Sequence, residues 1–151
     1  MNMPNEMTDK PEDYIPHRGT MKLLNKIIEV NDNYSHCDVH ITPNSTFFEP
    51  EIQGIYNWVG IEYMAQAVAA FGGFHNEKPC VGFLLSVRRF SSTQAFFPVD
   101  CTLNIKAHKV YIEDMVGVFD CEIWLNNICI AKAKLNTIQP PEDQVKEILG
   151  N

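Results

Sequence analysis

Trp58-Val59-Gly60-Ile61-Glu62-Tyr63-Met64-Ala65-Gln66-Ala67-Val68-Ala69-Ala70, wound at 3.6 residues per turn, is apolar on almost every side. Trp58, Ile61 and Ala65 share a stripe with Val68 and Ala69, and Val59, Met64 and Ala67 fill most of the remainder. Such a helix has to be wrapped by other elements. The exception is Glu62, which this pattern expects to be partly desolvated. Burial disfavours the charged form of a carboxyl and makes it a better proton donor near neutrality, a common use of Glu in active sites. The pattern also allows a plainer reading, in which Glu62 lies at the edge of the buried face and reaches water or a lysine.

Working outward, the flanking sequence supplies the wrapping. Ile27-Ile28-Glu29-Val30 reads as the end of a strand, Asn31-Asp32-Asn33 as a hairpin turn, and Tyr34, Cys37, Val39 and Ile41 as an alternating second strand closed by Pro43-Asn44-Ser45. Thr46 to Tyr56 reads as a long connection, Asn57 as the N-cap of the helix, and Gly72-Gly73 as its end. Beyond it, 81–87, 102–111, 115–125 and 128–137 are strand-like. Glu113-Asp114 and Asn126-Asn127 turn the last three into a meander, and Pro140-Pro141 closes the sheet. The expected fold is α+β, a curved antiparallel sheet wrapped around one long helix. A single sheet leaves one flank of that helix uncovered, so a second subunit is expected beside it, with the sites at the seam. Residues 1–13 read as a loose arm, 14–138 as the domain, and 139–151 as a tail ending in a short amphipathic helix.

Composition narrows the function. A chain of 151 residues with 45% hydrophobic content fits one ordinary domain. No apolar run reaches the roughly 18 residues that span a bilayer, and the polar start lacks the regions of a signal peptide, so a cytoplasmic protein without membrane association is expected. A formal charge of −7 argues against nucleic acid as the main partner. The five cysteines show no CxxC spacing and read as reduced filler, with no metal site. No GxSxG, GxxxxGK or HExxH motif is present.

Two segments and a third short one carry a resemblance. Pro16-His17-Arg18-Gly19-Thr20-Met21-Lys22-Leu23-Leu24 resembles the PHR opening, and Glu62-Tyr63-Met64-Ala65-Gln66-Ala67 the E-A-M-A-Q-A helix, of the 3-hydroxyacyl-acyl-carrier-protein dehydratases. Pro98-Val99-Asp100 stands where those proteins carry P-G-D. The chain is thereby similar to hotdog-fold dehydratases, and within them to the subgroup associated with aryl polyene synthesis, over about residues 14–138.

That resemblance implies dehydration of a 3-hydroxyacyl thioester, on acyl carrier protein or CoA, to a 2-enoyl thioester. It implies no cofactor beyond the phosphopantetheine arm of the substrate. Glu62 matches the family's acid. The family's G-H-F-P loop falls on Phe47-Phe48-Glu49-Pro50, so Phe48 replaces its catalytic histidine, and Asn57 replaces the glycine whose amide approaches the carbonyl. His17 is therefore the candidate base, and Asn57, Trp58, Phe48 and Phe83 are the candidate substrate contacts. Gln66 is expected to satisfy buried backbone groups. Two alternatives stay open: a catalytically weak acyl-binding subunit that completes a heterodimer with another hotdog protein, and a hotdog thioesterase. A homodimer is equally compatible with the sequence.

Overall fold

In the computed structural model the described residues are 8–150. Ten regular elements follow one another: β1 (Lys26–Val30), β2 (Tyr34–His40), β3 (Gly54–Tyr56), α1 (Gly60–His75), β4 (Phe83–Ser92), β5 (Phe96–Pro98), β6 (Thr102–Glu113), β7 (Val116–Leu125), β8 (Ile128–Ile138) and α2 (Glu142–Ile148). Six strands form one antiparallel sheet in the order β1-β2-β6-β7-β8-β4, with α1 packed against β6, β2, β7, β1 and β8. This is the hotdog arrangement expected from the sequence. Irregularities in the ladder at Ile27/Glu29, Leu84/Ser86, Arg88/Ser91 and Lys109/Tyr111 bend the strands they interrupt. Among the described residues no helix is long and apolar enough to cross a membrane.

A row of small side chains lets the helix lie close to the sheet. Ser35, Ala107, Cys121 and Ala133 stand side by side across four strands, and all are buried. The Ser35 hydroxyl donates to the Ala67 carbonyl of α1 at 2.6 Å, so the helix backbone is tied directly to the sheet floor. Tyr63, Met64, Ala67, Ala70 and Phe71 fill this side of the helix and are buried with Ile105, Ile123 and Leu135. Cys37 and Cys121 are part of this core as free thiols.

Four details differ from the sequence reading. Asn57 does not cap α1: it opens a 3-10 turn (Asn57–Val59), and its side-chain amide donates to Gln94 O at 2.8 Å. The glycines do not end the helix, which continues to His75. Gly73 instead lies against the Tyr14 backbone, where a side chain would have no room. The connection before the helix contains β3, which pairs with β5 as a separate two-stranded sheet. Finally, within the arm expected to be loose, residues 8–13 are built into the domain. Pro11 is buried in a 3-10 turn, Ile27 N donates to Asp9 O at 2.9 Å, and Tyr14 exchanges two hydrogen bonds with Thr8. Residues 1–7 lie outside the described residues.

Candidate active site

The helix supplies a carboxyl and the loop before β1 supplies an imidazole. His17 and Glu62 line one cavity of about 260 Å³, together with Phe83 and Leu84 of β4 and with Ala65 and Ala69, the next residues on the Glu62 side of α1. Glu62 itself is exposed in the single chain, which corrects the expected desolvation. The reason is directional. Residues 62, 65, 69 and 72 form a stripe of α1 that the chain's own sheet leaves partly or fully open, and Glu62 is on it.

His17 has the more constrained setting. Its Nδ1 is buried and has no hydrogen-bond partner among the described residues. Burial lowers its pKa below the ordinary 6.5, the Glu62 carboxylate pulls it back up, and the Arg18 guanidinium adds a smaller downward push. The net result is a ring that stays neutral near pH 7 with an unused nitrogen. Because the unfolded chain binds the His17 proton more readily, stability is fully present above pH 6.5 and falls as pH drops through the lowered folded value. An NMR titration of the His17 ring should therefore give a midpoint below 6.5. In Glu62→Gln the midpoint should be lower still, since the upward pull is removed. A midpoint at or above 6.5, or one that rises in the variant, would contradict this assignment.

Two side chains fix the loop that carries His17. Arg18 donates from Nη1 to Ile15 O at 2.6 Å and to His17 O at 2.8 Å, and from Nη2 to Glu12 O at 3.0 Å, closing the chain around its own guanidinium. Gln66, one turn beyond Glu62 and fully buried, accepts from Leu23 N at 3.0 Å and donates to Met21 O at 2.7 Å. The glutamine of the helix motif thus bolts the PHR segment to the helix at a set distance from the acid. Replacing it leaves a cavity and two unpaired backbone groups. Gln66→Ala is expected to cost about 2–4 kcal/mol of stability in denaturant unfolding. A loss below about 1 kcal/mol would show that water or a shifted backbone replaces these bonds.

The remaining expected contacts lie elsewhere. Phe48 packs as a half-buried side chain against the hydrophobic core, and Trp58 is 59% exposed and stacked on Tyr56 at 4.4 Å. Neither lines the His17–Glu62 cavity, and neither does Asn57. The Asn57 backbone amide donates to Ala95 O at 3.1 Å, so it is committed to the β4–β5 connection and is not free for a carbonyl. Of the four expected substrate contacts, the structure brings only Phe83 to the acid and the imidazole. Sequence reasoning missed Ala65 and Ala69, whose spacing from Glu62 on one helical face was the available signal. Among the described residues no group of three or more His, Cys, Asp or Glu side chains is placed to hold a metal ion.

Comparison with known proteins identifies the family and supports the fold. Residues 9–150 match the ApeP-like family, described as ApeP dehydratase. The chain belongs to the ApeP-like dehydratase family. A solved chain of the dehydratase heterocomplex ApeI:P from Xenorhabdus doucetiae is similar to it, with a TM-score of 0.86 and 26% identity over 97% of this chain and 100% of the other. Two more distant structures share the fold alone. One is a homologue of HP0420 from Helicobacter felis (TM-score 0.69, 9% identity, 92% of this chain and 93% of the other). The other is the PaaI protein of the E. coli phenylacetic acid degradation operon (TM-score 0.60, 15% identity, 75% and 81%). No curated protein sequence matches.

Proposed function

We propose that this ApeP-like protein dehydrates 3-hydroxyacyl thioesters to 2-enoyl thioesters, with His17 as base and Glu62 as acid. The observation that carries the proposal is the shared cavity. A neutral imidazole with a buried, unpartnered nitrogen faces the same space as a carboxyl on the central helix. His17 takes the proton from C2, whose acidity the thioester carbonyl provides. The C3–O bond breaks as the Glu62 carboxyl supplies a proton to the departing hydroxyl, which leaves as water. His17 then holds one proton more and Glu62 one fewer, and transfer between them or through solvent restores both.

The partner in this proposal is another hotdog subunit. The open stripe of α1 and the unpaired edge of β4 border the same cavity, and Leu84 and Leu85 on β4 are exposed apolar residues. A subunit seated there would dry the acid and complete the site. The similar chain in the ApeI:P heterocomplex supports a different hotdog protein as that partner. The apolar Phe48 favours a second reading, in which this chain contributes Glu62 and a partner with an intact Gly-His-Phe-Pro loop contributes its own histidine as base in place of His17.

The experiment is turnover of a 3-hydroxyacyl carrier-protein thioester, followed by mass spectrometry as loss of one water. The chain is tested alone and mixed with such a partner. Enoyl product from the chain alone supports the His17–Glu62 pair, and product only in the mixture assigns this chain the subunit role. Release of free thiol without enoyl product would mean thioesterase activity instead, and no product under any condition would refute the proposal.

A further inference from the structure

We infer that a separate polar recess beside the first turn of α1 is a binding site for a phosphate monoester, with the Tyr63 hydroxyl and the Lys22 ammonium as its principal donors. The recess measures about 320 Å³, within the range of roughly 300–1,000 Å³ found for small-molecule sites. One wall is the 3-10 turn Gly19–Met21 with Lys22, and the other is the segment 42–46 that follows β2. The Thr46 hydroxyl donates to Thr20 O at 2.6 Å and ties the two walls together. Neither His17 nor Glu62 lines this space, so the site stands apart from the proposed dehydration.

Tyr63 is the decisive residue. It is only 2% exposed, yet it reaches the recess, and its hydroxyl has no hydrogen-bond partner among the described residues. Buried phenols normally find one. The ring itself is accounted for by packing beside Phe97, at 6.2 Å between centroids. Burial pushes the phenol well above its ordinary pKa of 10, so it keeps its proton and remains a donor. The helix motif that this segment resembles has alanine at the same position, and nothing in the fold uses the added hydroxyl. An acceptor from outside the chain would.

The rest of the lining favours an anion. In a chain of formal charge −7, no Asp or Glu side chain lines this recess. Lys22 Nζ lies 3.5 Å from Glu12 Oε1, a partly exposed pair that contributes little in water, so the ammonium turns to a bound anion at small cost. His40 is held through Nε2 by Asp38 Oδ2 at 3.3 Å, with Nδ1 remaining. Asn25 accepts from His40 N through Oδ1 at 2.7 Å, which leaves its side-chain N–H groups to donate. The Thr20 hydroxyl and the Asn44 side-chain amide make no hydrogen bond among the described residues. Hydroxyl and amide donors around one ammonium match the oxygens of a phosphate, and charge-assisted bonds of this kind are the strong ones. The recess has the volume of about ten waters, which leaves room for an ester group beyond the phosphate.

The test is calorimetric titration of the full chain in phosphate-free buffer, with glycerol 3-phosphate as the probe and glycerol as its uncharged counterpart. Wild type should bind the phosphoester and not glycerol. Tyr63→Phe, which removes only the hydroxyl, should weaken binding about tenfold or more, and Lys22→Met by roughly twofold to fivefold. Should Tyr63→Phe fail to fold, Lys22→Met and Asn44→Ala, both outside the core, decide by the same criterion. A second pair of probes, CoA and dephospho-CoA, separates two sources of the phosphate. Tighter binding of CoA, by a factor that Tyr63→Phe removes, supports the site and assigns the phosphate to the coenzyme. Equal binding of the two, with glycerol 3-phosphate still bound, supports the site and assigns it to a small phosphoester. No binding of glycerol 3-phosphate to wild type, equal binding of glycerol, or equal affinity in wild type and variants would overturn the inference. Thioester turnover plays no part in these readouts, so their failure leaves the dehydratase reading standing.

Discussion

Glu62→Gln is expected to lower the kcat of dehydration by about two to four orders of magnitude, the range lost when a positioned acid is removed. The amide keeps the size and hydrogen-bonding reach of the side chain but cannot deliver a proton to the departing hydroxyl. Because Glu62 is exposed in the single chain and is not part of the hydrophobic core, its removal should leave the thermal midpoint unchanged. The loss should appear in kcat rather than KM, since the acid acts on the bond that breaks. His17→Ala should cost a comparable factor if His17 is the base. The double variant should then be little worse than the poorer single one, as for groups that act as a unit. Steady-state kinetics on the three variants checks this. Glu62→Gln with wild-type turnover would remove the acid from the mechanism, and fully additive losses would separate the two residues into independent roles.

Gly73→Ala should be the most damaging small substitution in the helix. A Cβ there would overlap the Tyr14 carbonyl, and a backbone atom cannot swing aside as a side-chain end can. The expected cost is about 3 kcal/mol, at the upper end for overpacking, or roughly 6–12 °C in the thermal midpoint. Tyr14 lies three residues before His17, so whatever shift relieves the clash also moves the imidazole relative to Glu62. Activity should fall further than the fraction of folded protein explains. Gly72→Ala is the control. Its Cβ meets only the flexible end of Gln139, and alanine is the better helix former by about 1 kcal/mol, so stability should hold or rise. Equal effects at the two glycines in thermal unfolding would refute the packing argument.

The contrast between these glycines shows where sequence reading stops. Gly72-Gly73 in an apolar segment has the local appearance of a helix end, and α1 nevertheless runs through it to His75. The helix needs a glycine at 73 because the N-terminal segment crosses it there, and that crossing joins residues about sixty positions apart. Asn57 is a similar case. Its type and place suit an N-cap, but the β4–β5 connection arrives beside it and takes its amide. Long-range contacts outcompeted a local preference at both positions.

Strand and turn positions were far more legible, because they depend on neighbours in sequence. Asn126 and Asn127 both have positive φ, as a tight two-residue turn requires, and the alternation along β6 and β7 assigns their inner faces directly. The sheet, the long apolar helix and the acid on that helix were all readable in this way. So was Gln66, since a polar side chain inside a helix buried on most sides has to satisfy something. What only the tertiary structure decided is which side chains share a space. It brought His17, Phe83 and Glu62 to one cavity, placed Phe48, Asn57 and Trp58 elsewhere, and left Glu62 on the open stripe of the helix. The physical reason is that periodicity fixes how much of a helix must be covered, whereas the packing of distant segments fixes which side is covered and by what.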